Sequence, residues 1–167
     1  MTVAELIQEL EQEAGNTRRT LERVPEDRLA WKPHEKSPSL GQLALHIATL
    51  PGAITEVALR PQFEVGPRSP RSSAGSRAEL LEAFDKSLAQ AKARLGALDD
   101  AALGVTWKMM EGDRVVMALP RAAVFRTILL NHWYHHRGQL TVYLRLLGVP
   151  LPAIYGPSAD ENPFMRA

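Results

Sequence analysis

Cysteine is absent from this chain. Thiolate metal ligands, a cysteine nucleophile and a disulfide framework are therefore excluded, and a reducing, cytoplasmic setting is expected. Charge of one sign is not in excess either. Against 20 basic residues stand 19 acidic ones, a net charge of +1, which gives no reason to expect nucleic acid or a membrane as partner. The N-terminal stretch lacks a basic region followed by an apolar run, and no apolar segment is read as reaching the roughly 18 residues of a membrane span. Glycine-rich phosphate loops, nucleophile elbows, paired-carboxylate motifs and internal repeats are missing as well. At 167 residues the chain fits one domain, 1–167, long enough to bury a core without staples.

What is present is helical rhythm. Val3, Ile7, Leu10, Ala14, Thr17, Leu21 and Val24 alternate steps of four and three, the seam of a first helix opened by a Thr2/Glu5 capping box and ended by Pro25. A proline-rich connection with Trp31, Pro33 and His34 follows, His34 being read as an exposed loop residue. Ser37 or Ser39 opens a second helix whose seam is Leu43, Ile47, Leu50, Ile54 and Val57, with His46 one step away and facing inward. Pro51-Gly52 should kink or interrupt it, since proline removes the hydrogen bond to the carbonyl of Ile47.

Residues 60–75, rich in Pro, Ser, Gly and Arg, form a surface connection long enough to cross the bundle. Ser76 and Glu79 read as another capping box, followed by a third helix to about Leu98. The period then changes: Thr106 to Met117 around Glu111-Gly112-Asp113 predicts a short hairpin that must lean on the helices. Pro120 begins a fourth helix that stops near Gly148. The tail from Leu151 on is expected to be extended coil, lying over the surface or a partner. The fold class is thus all-α, a four-helix bundle with a small hairpin between helices three and four.

Three of the five histidines fall in Asn131-His132-Trp133-Tyr134-His135-His136-Arg137-Gly138-Gln139. At helical spacing His132 and His136 stack one turn apart on one face. Phe125, Ile128, Leu129, Gln139, Tyr143, Leu146 and Leu147 share that line, an apolar stripe in which histidine replaces leucine. Buried imidazoles need partners, and either a divalent cation or hydrogen bonds to facing helices would serve. With His46, the remaining inward histidine on another helix, the pair would supply three neutral nitrogens suited to Zn or Ni, leaving a coordination position open. Because bound imidazoles must be neutral, affinity for an ion should fall below about pH 6. Trp133 stands where a metalloprotease would carry glutamate, so that reading fails. His135, Gln139 and Tyr143 are candidates for supporting roles: His135 at the edge of the pair, Gln139 continuing its line, Tyr143 with a hydroxyl at the rim of the core. No catalytic residue is assigned.

Trp31-Lys32-Pro33, Ser39-Leu40-Gly41-Gln42-Leu43-Ala44-Leu45-His46-Ile47, His132 to Gln139, and the continuation Leu144 to Pro150 resemble the DinB/YfiT-like metalloenzyme family. The resemblance covers nearly the whole chain. It implies an up-down-down-up four-helix bundle, a metal, usually zinc or nickel, held by His46, His132 and His136, and often a homodimer. Relatives with known activity include thiol-dependent S-transferases, so the resemblance implies a small electrophile and a low-molecular-weight thiol as partners. A metal-dependent hydrolase and a non-catalytic, metal-braced dimeric bundle are the alternatives.

Overall fold

The computed structural model describes residues 1–67 and 70–165; the expected connection and terminal tail include four positions, 68, 69, 166 and 167, outside that range. Helix α1, Val3–Leu21, starts at the Thr2/Glu5 capping box. Helix α2, Leu40–Leu59, starts at Ser39, whose side chain accepts from the Gln42 amide while Gln42 returns a bond to Ser39. At α3, Arg77–Gly96, only half of the expected box forms. Ser76 caps the Glu79 amide, but the Glu79 carboxylate takes the Gly75 N–H at 2.7 Å instead of that of Ser76.

Cross-helix bonds fix the directions. Glu11 and Arg18 of α1 meet Lys92 and Asp85 of α3, so these helices are antiparallel. Ser87 and Arg94 of α3 meet Thr49 and Gly52 of α2, in the same order along both helices, which are therefore parallel. The fourth bundle helix is built from α4 (Arg121–Val124), a π-helical segment (Phe125–Asn131) and α5 (His132–Leu146). Its Arg126 and Arg137 meet Glu9 and Glu13 of α1, and its Trp133 and Tyr143 meet Ile47 and Pro38 beside α2. The result is up-down-down-up.

Two parallel neighbours cannot be joined by a tight turn. The chain must return along the whole length of α2, about 30 Å at 1.5 Å per residue, and residues 60–75 make that return. Their first residues depart from the expected plain loop. Gln62–Glu64 form strand β1, which pairs in parallel with β2 (Thr106–Glu111), itself antiparallel to β3 (Arg114–Pro120). The expected hairpin is thus two strands of a three-stranded sheet. It leans on α2 through Trp107, whose indole donates to the Val57 carbonyl at 3.1 Å, and its turn uses Gly112 at φ +57°. The tail lies over its own chain, tied to α1 and α5 by Arg19–Glu161 and Arg145–Asp160 ion pairs.

Helix α2 corrects two expectations. Its length and mean hydropathy of 1.2 reach what a membrane span requires; yet it is the central helix of the bundle, packed against α3 and α5 with Leu43, Ala44, Ile47 and Ala48 buried. Nor does Pro51 interrupt it. The missing N–H leaves the Ile47 carbonyl without its intrahelical donor, and the Trp133 indole of α5 supplies one at 3.0 Å. The next amide, Gly52, donates to Ser87 Oγ at 2.8 Å, and the Gly52 carbonyl accepts from Arg94. Proline thus creates the acceptor that locks α2 to α5. Trp133→Phe is expected to lose about 2–4 kcal/mol in chemical denaturation, from the orphaned carbonyl and the smaller ring. Adding Pro51→Ala, which restores a donor to Ile47, should recover part of that loss in a double-mutant cycle; simple additivity would refute the link.

Candidate metal centre

The Trp133–Ile47 bond has a histidine next to each partner. His46 precedes Ile47 and His132 precedes Trp133, so the lock in the core holds the two rings in register at its edge. His46, His132 and His136 come together with one ring nitrogen each, all within 4.8 Å of one another. Ring centroids stand 4.5 Å apart for His132–His136, 4.7 Å for His46–His136 and 5.3 Å for His46–His132.

All three rings are half-buried rather than central to the core. The buried residues of α5 are Trp133, Arg137, Leu140, Tyr143 and Leu144; of the expected stripe Phe125, Leu129 and Tyr143 are buried, while Leu146 is 62% exposed. Two features moved the face. The π-helical turns before His132 hold more residues each than α-turns, so a uniform 100° projection does not carry from Phe125 into α5. And Arg137, a charged residue a hydropathy pattern assigns to solvent, is buried.

The hydrogen-bond partners decide whether a divalent ion fits. Nδ1 of His132 faces the Ile128 carbonyl at 3.3 Å, and Nδ1 of His136 faces Gln139 Oε1 at 2.7 Å. With both Nδ1 atoms donating, the two Nε2 atoms carry bare lone pairs, yet they face each other at 2.8 Å. A cation between them would satisfy both lone pairs. Nitrogens about 2.0–2.1 Å from one ion are about 2.9–3.4 Å apart, close to the 2.8 Å between His132 and His136, while the His46 nitrogen lies within 4.8 Å of both. Turning the Gln139 amide offers the metal-free alternative: its N–H then donates to His136 Nδ1, and His136 Nε2–H donates to His132. Both arrangements need Gln139.

Burial, with the charges of His136, His132 and Arg71 behind it, pushes the His46 pKa down to about 4. His132 and His136 are also held below the ordinary imidazole value, chiefly by burial. The rings are therefore neutral and ready to coordinate at neutral pH. Gln139→Leu should lower zinc affinity about 10–100-fold in a competition titration, because His136 loses the partner that sets its tautomer and angle. Unchanged affinity would remove Gln139 from the site.

The other candidates are placed elsewhere. The exposed His135 ring stands 5.1 Å from that of His136 and is not one of the converging donors. Tyr143 is buried, its ring edge-on to Trp31 at 5.7 Å and its hydroxyl donating to the Pro38 carbonyl at 3.3 Å, so it anchors the connection before α2. His34 is exposed. Arg71 was not anticipated. It lies on the return connection and, with Gln42, Leu45, His46, Thr49 and Ser72, lines a cavity of about 390 Å3 on the His46 side of the cluster. A larger depression of about 740 Å3, between α1 and the tail, contains none of the histidines.

Comparison with known proteins agrees with this fold. A DinB-like protein from Bacillus cereus superposes with a TM-score of 0.73 at 23% identity, covering 92% of this chain and 98% of that one. A DinB-like protein from Bacillus subtilis, YjoA, gives a TM-score of 0.67 at 20% identity over 89% of this chain and 95% of that one. At such identities the likeness speaks for the fold. A curated relative, the uncharacterized protein YrdA of Bacillus subtilis (strain 168), is 52% identical over 33 residues, and the match spans only 20% of either chain. The family description "DinB family" matches residues 1–163. With that match over nearly the full length and a bundle of the same architecture, this chain belongs to the DinB family.

Proposed function

We propose that this protein uses a divalent ion, zinc or nickel, held by His46, His132 and His136, to activate a low-molecular-weight thiol and join its sulfur to a small electrophile. The observation that carries the reading is the shape of the donor set. Three neutral imidazoles converge from two helices, and among the described residues no Asp or Glu joins them. Three protein ligands leave a position for a guest, as catalytic sites do, whereas a structural site is closed by a fourth. The ion, when bound, lowers the pKa of a thiol or water at that position.

The chain's own residues do the rest. Ile128 and Gln139 fix the tautomers of His132 and His136, and the Trp133–Ile47 bond keeps both helices in register. In the transfer, a sulfur–carbon bond forms, the thiol proton passes to solvent and the leaving group departs from the electrophile. A chain without cysteine also suits a reducing compartment, where such thiols are abundant.

The test is turnover of an aryl halide with glutathione, bacillithiol or mycothiol by zinc- or nickel-loaded protein. Rates should fall to background in His132→Ala. Ester hydrolysis without any thiol would favour the hydrolase reading. Loss of stability on chelation, with no turnover of either kind, would favour the metal-braced bundle.

A further inference from the structure

The parallel course of α2 and α3 sends the connection between them back along α2, past His46. Three observations fix where it passes. The Gln42 side chain, which already caps α2 through its oxygen, donates through Nε2 to the Arg71 carbonyl at 3.1 Å. Ala74 is buried. At Gly41 a Cβ would come within 2.3 Å of Ser73 Oγ and 3.2 Å of the Leu29 carbonyl, so glycine is what lets the returning chain lie flat on the first turn of α2.

This path places Arg71 at the cavity beside His46, and among the described residues no carboxylate forms an ion pair with its guanidinium. Its charge is felt by all three imidazoles. The electrostatics are therefore lopsided. A divalent ion on three neutral ligands keeps its full charge of two, and the arginine adds a third positive charge within the same field. Nothing in the donor set offsets it. A guest that carries negative charge at both ends would balance the site: sulfur at the ion, and an oxyanion at the guanidinium, whose planar fork matches a carboxylate. A cavity of about 390 Å3 is of the size that takes a small organic molecule.

Resting on the thiol reading above, we infer that Arg71 is a specificity residue that selects thiols bearing a carboxylate. Isothermal titration calorimetry tests it on the full-length protein with three probes: N-acetylcysteine, its neutral amide, and N-acetylalanine, which keeps the carboxylate but has no thiol. Zinc-loaded wild type should bind N-acetylcysteine at least about tenfold more tightly than the amide. In Arg71→Ala that preference should fall below about twofold with affinity for the amide and zinc content unchanged, and Arg71→Lys should keep part of it. N-acetylalanine should bind wild type, with or without zinc, more tightly than it binds Arg71→Ala. Equal binding of acid and amide by wild type, a preference that survives Arg71→Ala, or no binding of any probe would overturn the inference. If neither thiol derivative gains from its sulfur while N-acetylalanine still depends on Arg71, the anion site stands and the thiol reading fails.

Discussion

Arg137→Ala is expected to lower stability by about 3–5 kcal/mol in urea denaturation, the cost of leaving a buried carboxylate without its partner. Arg137 is 3% exposed and Glu13 5%. They meet across α1 and α5 at 2.6 Å, and the guanidinium also donates to the Glu13 carbonyl, to Thr17 Oγ1 and to the Tyr155 hydroxyl. The rings of Tyr134 and Tyr155 each lie 5.3 Å from its centre, a contact that favours the cation. Tyr155 in turn donates to Glu13 at 2.7 Å, so the tail is held by the same pair. Removing one member orphans several groups at once. Removing both together, as Glu13→Leu with Arg137→Met, should recover most of the loss, because the desolvation cost disappears with the charges. A single variant that loses less than about 1 kcal/mol would show that water reaches the pair.

That pair also marks where the sequence stopped being legible. Local signals transferred well: Thr2 and Ser39 cap their helices, Pro120 and Gly148 bound the fourth, and Gly112 turns the hairpin. Each of these is decided within a few residues of the chain. Glu13 and Arg137, 124 positions apart, are buried only because each neutralises the other, so a hydropathy pattern assigns both to solvent. The same limit hid β1. Gln62–Glu64 offers one apolar residue in a proline- and glycine-rich stretch, and its strand character comes from a partner more than forty positions on. The histidine pair was legible because helical spacing alone stacks His132 on His136. That His46 would meet them depended on the chain direction of α2 and α5. Arg71 depended further on the route of a connection, and connections carry almost no periodic signal.

Zinc binding should decline at a lower pH than the imidazole value alone suggests. An ordinary histidine, with pKa about 6.5, is mostly protonated at pH 5.5. Here burial holds His132 and His136 below that value and takes His46 to about 4. The three rings therefore resist protonation more than free imidazoles do, with His46 itself protonating near 4, and zinc stays bound to a lower pH than free imidazoles would allow. The sign for the metal-free protein follows from the same numbers. Between pH 6.5 and 4 the unfolded chain binds protons that the folded one refuses, so stability is full above 6.5 and declines as the pH falls through that window. His46→Ala removes the donor that comes from α2 and leaves two neighbours on one helix. Zinc affinity at pH 7 should then drop more than the 10–100-fold typical of losing a supporting partner, while the circular dichroism spectrum keeps its helical form, because the ring is only half-buried. Competition titration against a chelating dye, repeated from pH 7 to pH 4, measures both effects. Zinc affinity in His46→Ala equal to wild type would place the ion on α5 alone, and half-release already at pH 6.5 would mean that the rings titrate as though in water.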